Sequence, residues 1–494
     1  MKLRSIAFLL ALACTPAAAA PPGAALLAKV HKIFDDWRLT AHAPGVVYGI
    51  VMDGKLVAVE GLGVQDVKSA SPVTADSLFR IASMSKAFTA LAILKLRDGG
   101  KLALDAPAET YIPELKSWSY PTSDSPKITV RNLLTHSAGF VEDNPWGDRQ
   151  QVMPEEDFTK FLRAGVPLAR PPGMAMEYSN LGFAMLGRIV GNVSGIRYQD
   201  YIKQQIMVPL GMTSTTYDVL ASPAAKRSIG YRWQDNGWVR EPDMKDGAFG
   251  AMGGVETSAN DYARWVSFLL AAWPARDGAE SGPVRRATVR EIVSGANFVQ
   301  AGMRNPAIDP APCRQARGYA MGWFSVDDCD LGLFVTHSGG YPGYGSYVML
   351  MPSKGVGLFA LSSRTYGSPE VPVLRAALAL KAADALPDRE MAVSAGLAAA
   401  YSAAKAVWRA VDITAAPLAN NMLMDHDAAA WKKLIGDVKT EVGDCPATEP
   451  VQPVSAMEGR FSWRCAHGRV EGRVQRAPVP QMAIQRLTYT AATP

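Results

Sequence analysis

Apolar and polar positions along the chain alternate between helical and strand-like spacing. Residues 24–40 (AALLAKVHKIFDDWRLT) carry apolar residues at helical spacing. The segment GVVYGIVMDGKLVAVEGLG that follows reads as two strands joined at Asp53-Gly54, a dipeptide suited to hairpin turns. From Ser83 to Asp98 (SMSKAFTALAILKLRD) the chain is apolar nearly all round, which predicts a buried helix ended by Gly99-Gly100. The stretch 105–270 reads as helical pieces and loops rich in Pro and Gly. It includes one helix capped by Thr129 (TVRNLLTH), one through LGFAMLGRIVGNVSG and one at SANDYARWVSFLL. Strand character returns at 318–326, 331–337, 344–351 and 356–362, with PSKG as a turn, and a helix follows at 369–385. A hairpin at the front, strands at the back and helices between predict an α+β fold. Distant parts of the chain would close one antiparallel β-sheet flanked by helices, beside a mostly helical lobe.

Beyond about residue 390 the texture changes. An Ala-rich helix (VSAGLAAAYSAAKAVWRAV) and another around 428–438 precede alternating segments, GRFSWRCAHGRVEGRVQ and QMAIQRLTYT, which read as strands. This stretch is long enough to bury a core of its own, so the expected division is a leader at 1–19, a main domain at 20–388 and a small C-terminal α+β domain at 389–494.

Composition narrows the function. With 48% apolar and 20% charged residues the chain is not mostly disordered. A formal charge of +5, two units of it from Lys2 and Arg4 in the leader, and no block of like charges argue against nucleic acid or an anionic membrane as partner. The leader MKLRSIAFLLALACTPAAAAPPG has a basic start, a short apolar run and small residues up to Ala20. That is a secretory signal pattern, with cleavage expected after Ala19 and the protein exported, to a periplasm or beyond the cell. Lipid anchoring through Cys14 is the minor alternative, and no stretch is long enough for an integral membrane span. Four further cysteines then become candidates for disulfides, paired locally as Cys313–Cys329 and Cys445–Cys465. No Cys/His set has zinc spacing, so neither metal nor cofactor is expected. Asp425-His426-Asp427 reads as a solvated loop.

Three short motifs carry chemistry. In Ser83-Met84-Ser85-Lys86, residues i and i+3 can share a helix face, which brings a hydroxyl to an amine. A serine hydroxyl needs an adjacent base, and a lysine serves as one only if burial or a neighbouring cation lowers its pKa. A second S-x-x-K, Ser402-Ala403-Ala404-Lys405, lies in the Ala-rich helix with no partner motif downstream and is taken as structural. Tyr178-Ser179-Asn180 is the only Y-x-N, just before a helix; a phenol beside a buried amine can relay a proton to a leaving group. His337-Ser338-Gly339-Gly340, at the end of a strand, is the only H-x-G, and its glycines let a substrate approach backbone N–H groups. The other histidines (His31, His42, His136 in LLTHSAG, His426, His467) are expected in packing or at the surface.

The order S-x-x-K, Y-x-N, H-x-G resembles the serine β-lactamase and penicillin-binding superfamily, specifically the class C β-lactamase-like serine hydrolases. FRIASMSKAFTALAILKL, YSNLGFAMLGRIV, GAMGGVETSANDYARWVSFLL and HSGGYPGYGSYVMLMP support it, and the resemblance covers about residues 25–385. It implies that Ser83 is the acylated nucleophile, Lys86 its activating partner, and Tyr178 a general base or acid, with the division between them open. It also implies that Asn180 binds the substrate amide, that Ser338 and Gly339 lie along the substrate, and that the N–H groups of Ser83 and Gly340 form an oxyanion hole. His337 stands where class C β-lactamases have a lysine; a histidine, mostly neutral at pH 7, makes a weaker anion site. The implied substrates are therefore D-amino-acid peptides or amides, as for a D,D-carboxypeptidase or D-aminopeptidase. A carboxylesterase, a class C-like β-lactamase and a non-catalytic penicillin receptor are the alternatives. The loop 141–176, with Trp146, Met153 and Phe158, is expected to wall the pocket beside Tyr178.

Overall fold

The computed structural model describes residues 21–294 and 297–492; the expected leader, with Cys14, lies outside them. Along the chain, β1 (Gly45–Met52) and β2 (Lys55–Gly63) form the front hairpin. Two short pairs follow, β3 (Phe79–Arg80) with β6 (Glu256–Thr257) and β4 (Tyr231–Gln234) with β5 (Gly237–Arg240). Then come β7 (Asn297–Met303), β8 (Arg314–Tyr319), β9 (Phe324–Asp328), β10 (Gly332–Tyr341), β11 (Tyr344–Met351) and β12 (Val356–Ser362). These last six join the hairpin in one antiparallel sheet ordered β2-β1-β12-β11-β10-β9-β8-β7.

The burial of β1 explains its composition. Val46, Tyr48, Ile50 and Met52 face one apolar cluster with helices Ala24–Thr40 and Glu370–Ala382. Val47 and Val51 face another, with helices Lys86–Asp98, Asn180–Ser194 and Ala259–Leu270. A strand covered on both faces has no polar side to show, so GVVYGIVM is apolar without alternation. Gly49 is required there: a Cβ would fall 2.4 Å from the Phe359 ring of β12.

The fold is the expected α+β arrangement, with local differences. The run 318–326 is not one strand: Gly322, at φ 78°, breaks it into the end of β8 and the start of β9. β7 escapes the apolar pattern because it is an edge strand with most side chains in solvent. Ser83 lies not in the long helix but in a 3-10 turn, Ala82–Ser85, and the α-helix begins at Lys86.

The described chain divides into two compact units, the larger running through Trp273 and over Ala279–Asp388, the smaller holding Arg389 onward with Pro274–Gly278. The smaller contains the antiparallel sheet β13 (Gln452–Pro453), β14 (Glu458–Cys465), β15 (Gly468–Arg476) and β16 (Ile484–Ala492), with helices Ala395–Ala410 and Ala428–Val442. Asp427 caps the second of these helices by accepting from the Ala430 N–H, 2.8 Å away. Cys313 with Cys329, and Cys445 with Cys465, stand at disulfide distance, their Cα atoms 5.6 and 4.2 Å apart. Among the described residues no helix is long and apolar enough to cross a membrane.

Candidate active site

Ser83 and Lys86 meet because a 3-10 turn eclipses residues i and i+3. Ala82, directly before Ser83, is held at φ 46°, a conformation non-glycine residues rarely adopt and one that recurs at functional turns. The turn is fixed from two sides. The Ser346 hydroxyl donates to the Ile81 carbonyl (2.8 Å), and the Val255 N–H donates to Ser85 Oγ (3.0 Å).

Lys86 is fully buried. Its Nζ lies 3.1 Å from Ser83 Oγ, 2.7 Å from Asn180 Oδ1 and 3.0 Å from the Met252 carbonyl. Burial brings its pKa down to about 7, against the pull of the Asp148 and Asp143 carboxylates. The Tyr178 ring lies 4.8 Å from the same nitrogen. Burial holds the Tyr178 phenol well above its ordinary value, an interaction with Ser83 pulling the other way.

Asn180 opens the helix Asn180–Ser194. Ser179 caps that helix through the Gly182 N–H (3.1 Å), and the buried Asp143 carboxylate accepts from the N–H groups of Asn180 (2.7 Å) and Leu181 (2.8 Å). This double cap is what aims Asn180 at Lys86. His136, at φ 54°, is buried against Tyr178 with ring centroids 4.3 Å apart, and its Nδ1 accepts the Ser179 N–H at 3.1 Å.

His337 is also buried. Its Nδ1 lies 2.6 Å from the Ser338 carbonyl, which can only accept, so Nδ1 carries the proton. Nε2 then accepts from the Tyr319 hydroxyl at 3.2 Å. Burial and the nearby Lys86 depress its pKa to about 3, so His337 is a neutral imidazole.

Ser83, Tyr178, His337, Ser338 and Gly340 line one cavity of about 430 Å³, together with Asp148, Met176, Val299, Phe324 and Tyr366. Lys86 and Asn180 lie beneath Ser83 rather than in its wall. Gly339 is turned away from the cavity: a Cβ there would fall 2.1 Å from Ser346 Oγ and 2.3 Å from the Ile81 carbonyl, so its lack of a side chain lets β10 pack on the Ser83 turn.

The pocket wall differs from expectation. From the loop 141–176 the cavity takes Asp148 and Met176, not Trp146, Met153 or Phe158. Phe158 sits on the inner face of the helix Glu155–Ala164, edge-on to Phe249 in the core, and Met153 faces a separate cleft. Sequence reasoning also missed Asp143, Asp148, Tyr319 and Tyr366, none of which belongs to a motif. The second S-x-x-K has other contacts: Ser402 is exposed, and the Lys405 ammonium lies 4.7 Å from the centre of the Tyr401 ring.

The family model named Beta-lactamase matches residues 27–383, most of the chain and all of this site. The chain belongs to the Beta-lactamase family. Among curated relatives, Protein flp of Staphylococcus aureus (strain N315) is 29% identical over 68% of this chain and 62% of its own length. Penicillin-binding protein 4* of Bacillus subtilis is 26% identical over 60% of this chain and 65% of its own. The chain thus spans less than two thirds of these relatives. Among solved structures, the octameric penicillin-binding protein homologue from Pyrococcus abyssi superposes with a TM-score of 0.61 at 21% identity, covering 94% of this chain and 98% of that one. D-alanine carboxypeptidase AmpC from Burkholderia cenocepacia gives 0.57 at 22% identity, over 73% and 99%. Both share the Beta-lactamase-family fold.

Proposed function

We propose that the chain is an exported serine hydrolase that works by acyl transfer through Ser83 on D-amino-acid peptides and amides. The observation that carries this reading is the contact between the buried Lys86 amine and the Ser83 hydroxyl. The Asn180 and Met252 oxygens accept two N–H bonds of that amine, and its remaining position faces Ser83 Oγ. An amine with a pKa of about 7 is substantially neutral there and offers a lone pair to the hydroxyl proton.

The Ser83 proton passes to Lys86 as Oγ bonds to the substrate carbonyl carbon. The N–H groups of Ser83 and Gly340 receive the developing oxyanion. The carbon–nitrogen bond then breaks, and the leaving amine takes a proton from Tyr178, whose phenol burial keeps protonated. Lys86 returns its proton to Tyr178. Water attacks the acyl-enzyme by the reverse sequence, releasing the acid and restoring the Ser83 hydroxyl. In this reading Asn180 orients Lys86, and His136 and Tyr319 hold the rings of Tyr178 and His337. The likeness to a protein named D-alanine carboxypeptidase supports the substrate class. The neutral His337 carries no charge to hold a carboxylate, which weighs against efficient turnover of β-lactams and of free C-terminal D-alanine alike and favours D-amino-acid amides. Two cysteine pairs at disulfide distance support export to an oxidising compartment.

The test is turnover of a D-alanyl-D-alanine peptide, D-alanine p-nitroanilide, a short nitrophenyl ester and a chromogenic cephalosporin. Amide or peptide cleavage should fall about a thousandfold or more in Ser83→Ala and stay unchanged in Ser402→Ala. Cleavage that survives Ser83→Ala overturns the assignment. Stoichiometric labelling by penicillin without turnover would make the protein a receptor instead.

A further inference from the structure

The lining of the active-site cavity contains one formally charged side chain among the described residues, and it is negative. Asp148 faces the space in front of Ser83 while only 6% exposed. Its carboxylate accepts a hydrogen bond from the Tyr366 hydroxyl at 3.1 Å, and among the described residues no cationic side chain forms an ion pair with it. Lys86, and more weakly Arg149, attract it through space, but the Lys86 nitrogen is already committed to Ser83, Asn180 and the Met252 carbonyl. At the other end of the cavity His337 contributes no positive charge.

Asp148 is also held in place. The backbone at Gly147 packs on the Asn180 side chain so closely that a Cβ would fall 2.8 Å from Nδ2, which ties this turn to the residue that orients Lys86. Tyr366, at φ 50°, bends its backbone into the left-handed region, and its ring covers Gly340, where a Cβ would meet it at 2.9 Å. A strained tyrosine that both covers the oxyanion strand and donates to a buried carboxylate fits a built subsite. Burial raises the Asp148 pKa, against the pull of Lys86 and the Tyr366 hydroxyl, and once Lys86 is neutral a cation arriving with the substrate would stabilise the charged carboxylate.

We propose that Asp148, oriented by Tyr366, is a cation subsite that selects acyl donors with a free primary ammonium group beside the scissile carbonyl. Amino-acid amides and peptides with a free amino end fit it; N-acylated donors do not. The inference rests on acyl transfer through Ser83 and narrows its substrates toward aminopeptidase-type chemistry. The reacting bonds are those given above; Asp148 binds the substrate and exchanges no proton with it.

The experiment compares D-alanine p-nitroanilide with N-acetyl-D-alanine p-nitroanilide on the wild-type chain, Asp148→Asn, Asp148→Glu and Ser83→Ala. The wild type should prefer the free amine. Asp148→Asn should lower kcat/KM for the amine substrate about ten- to hundredfold, chiefly through KM, and lower it far less for the acetylated one. Asp148→Glu, which keeps the charge, should retain much of the preference, and this guards against a folding defect in the Asn variant. An equal loss on both substrates would mean that the carboxylate serves Lys86, and overturns the inference. Ser83-dependent cleavage with no amine preference in the wild type overturns it too while leaving the hydrolase reading intact. If neither substrate is cleaved and mass spectrometry finds no acyl group on Ser83 after exposure to penicillin or ester, the hydrolase reading fails and takes this inference with it.

Discussion

In the proposed acyl transfer Lys86 acts only when it is uncharged. Burial lowers its pKa to about 7, while the two nearest carboxylates, Asp148 and Asp143, pull it back up. Acylation needs the neutral amine, which is populated above that pKa, so kcat/KM for an uncharged ester should rise with pH through about 7 and then level off. His337, depressed to about 3, contributes no step in that range. Lys86→Arg, which cannot deprotonate, should abolish the profile and cost at least about a thousandfold in kcat; stopped-flow acylation rates between pH 5 and 9 would check both. At this scale the sequence speaks unevenly. Ser83, Lys86, Tyr178 and His337 are legible because each belongs to a short motif and the motifs come in a fixed order. Asp148 and Asp143 are not, because their significance comes from burial beside Lys86, and nothing in DNPWGD announces that. His136 is the intermediate case: its neighbours LLT and SAG mark a helix end, but only the fold shows that its ring supports Tyr178.

The helix Asn180–Ser194 shows how an element positions a side chain. Its first N–H groups go to Asp143, a residue from a distant loop, and Ser179 supplies the local cap. Removing the carboxylate takes away the acceptor that the buried Asn180 and Leu181 N–H groups use. Asp143→Ala should therefore destabilise the chain by about 1–3 kcal/mol in denaturant unfolding. It should also reduce turnover beyond what stability explains, because Asn180 loses its anchor, and Asp143→Asn should recover part of both. The elements that the pattern foretold share one property: their apolar faces are long enough to register. The helix Lys86–Asp98 and strands β11 and β12 are buried almost throughout. β7 alternates only weakly and exposes Phe298 and Met303, so its apolar residues follow no buried face. From sequence the 3-10 turn at Ser83 looks like helix, because i, i+3 spacing suits both geometries and hydrogen bonding alone separates them.

On the scale of the whole molecule, the chain builds cores that do not share residues. In the smaller unit Leu397, Trp408, Ile435, Trp463, Val470, Val474 and Leu487 form a cluster drawn from two helices and a sheet that all lie beyond Arg389. The Trp463 indole donates to the Tyr401 hydroxyl at 2.8 Å, so one of its large aromatic residues has its polar atom satisfied within the unit. A stretch of this length with a closed core has what independent folding requires. We therefore expect the fragment 389–494, expressed alone, to unfold cooperatively and to show near-UV circular dichroism from Trp408 and Trp463. Pairing Cys445 with Cys465 closes a loop with a sequence separation of 20 residues. Such a loop is worth about 3 kcal/mol, so reduction with dithiothreitol should lower the denaturant midpoint of the fragment by a matching amount. A fragment with no near-UV signal, or a midpoint that reduction leaves unmoved, would mean that this core is not self-sufficient or that the pair is not bonded. The change of sequence texture near residue 390 would then mark a change of composition and not a domain boundary.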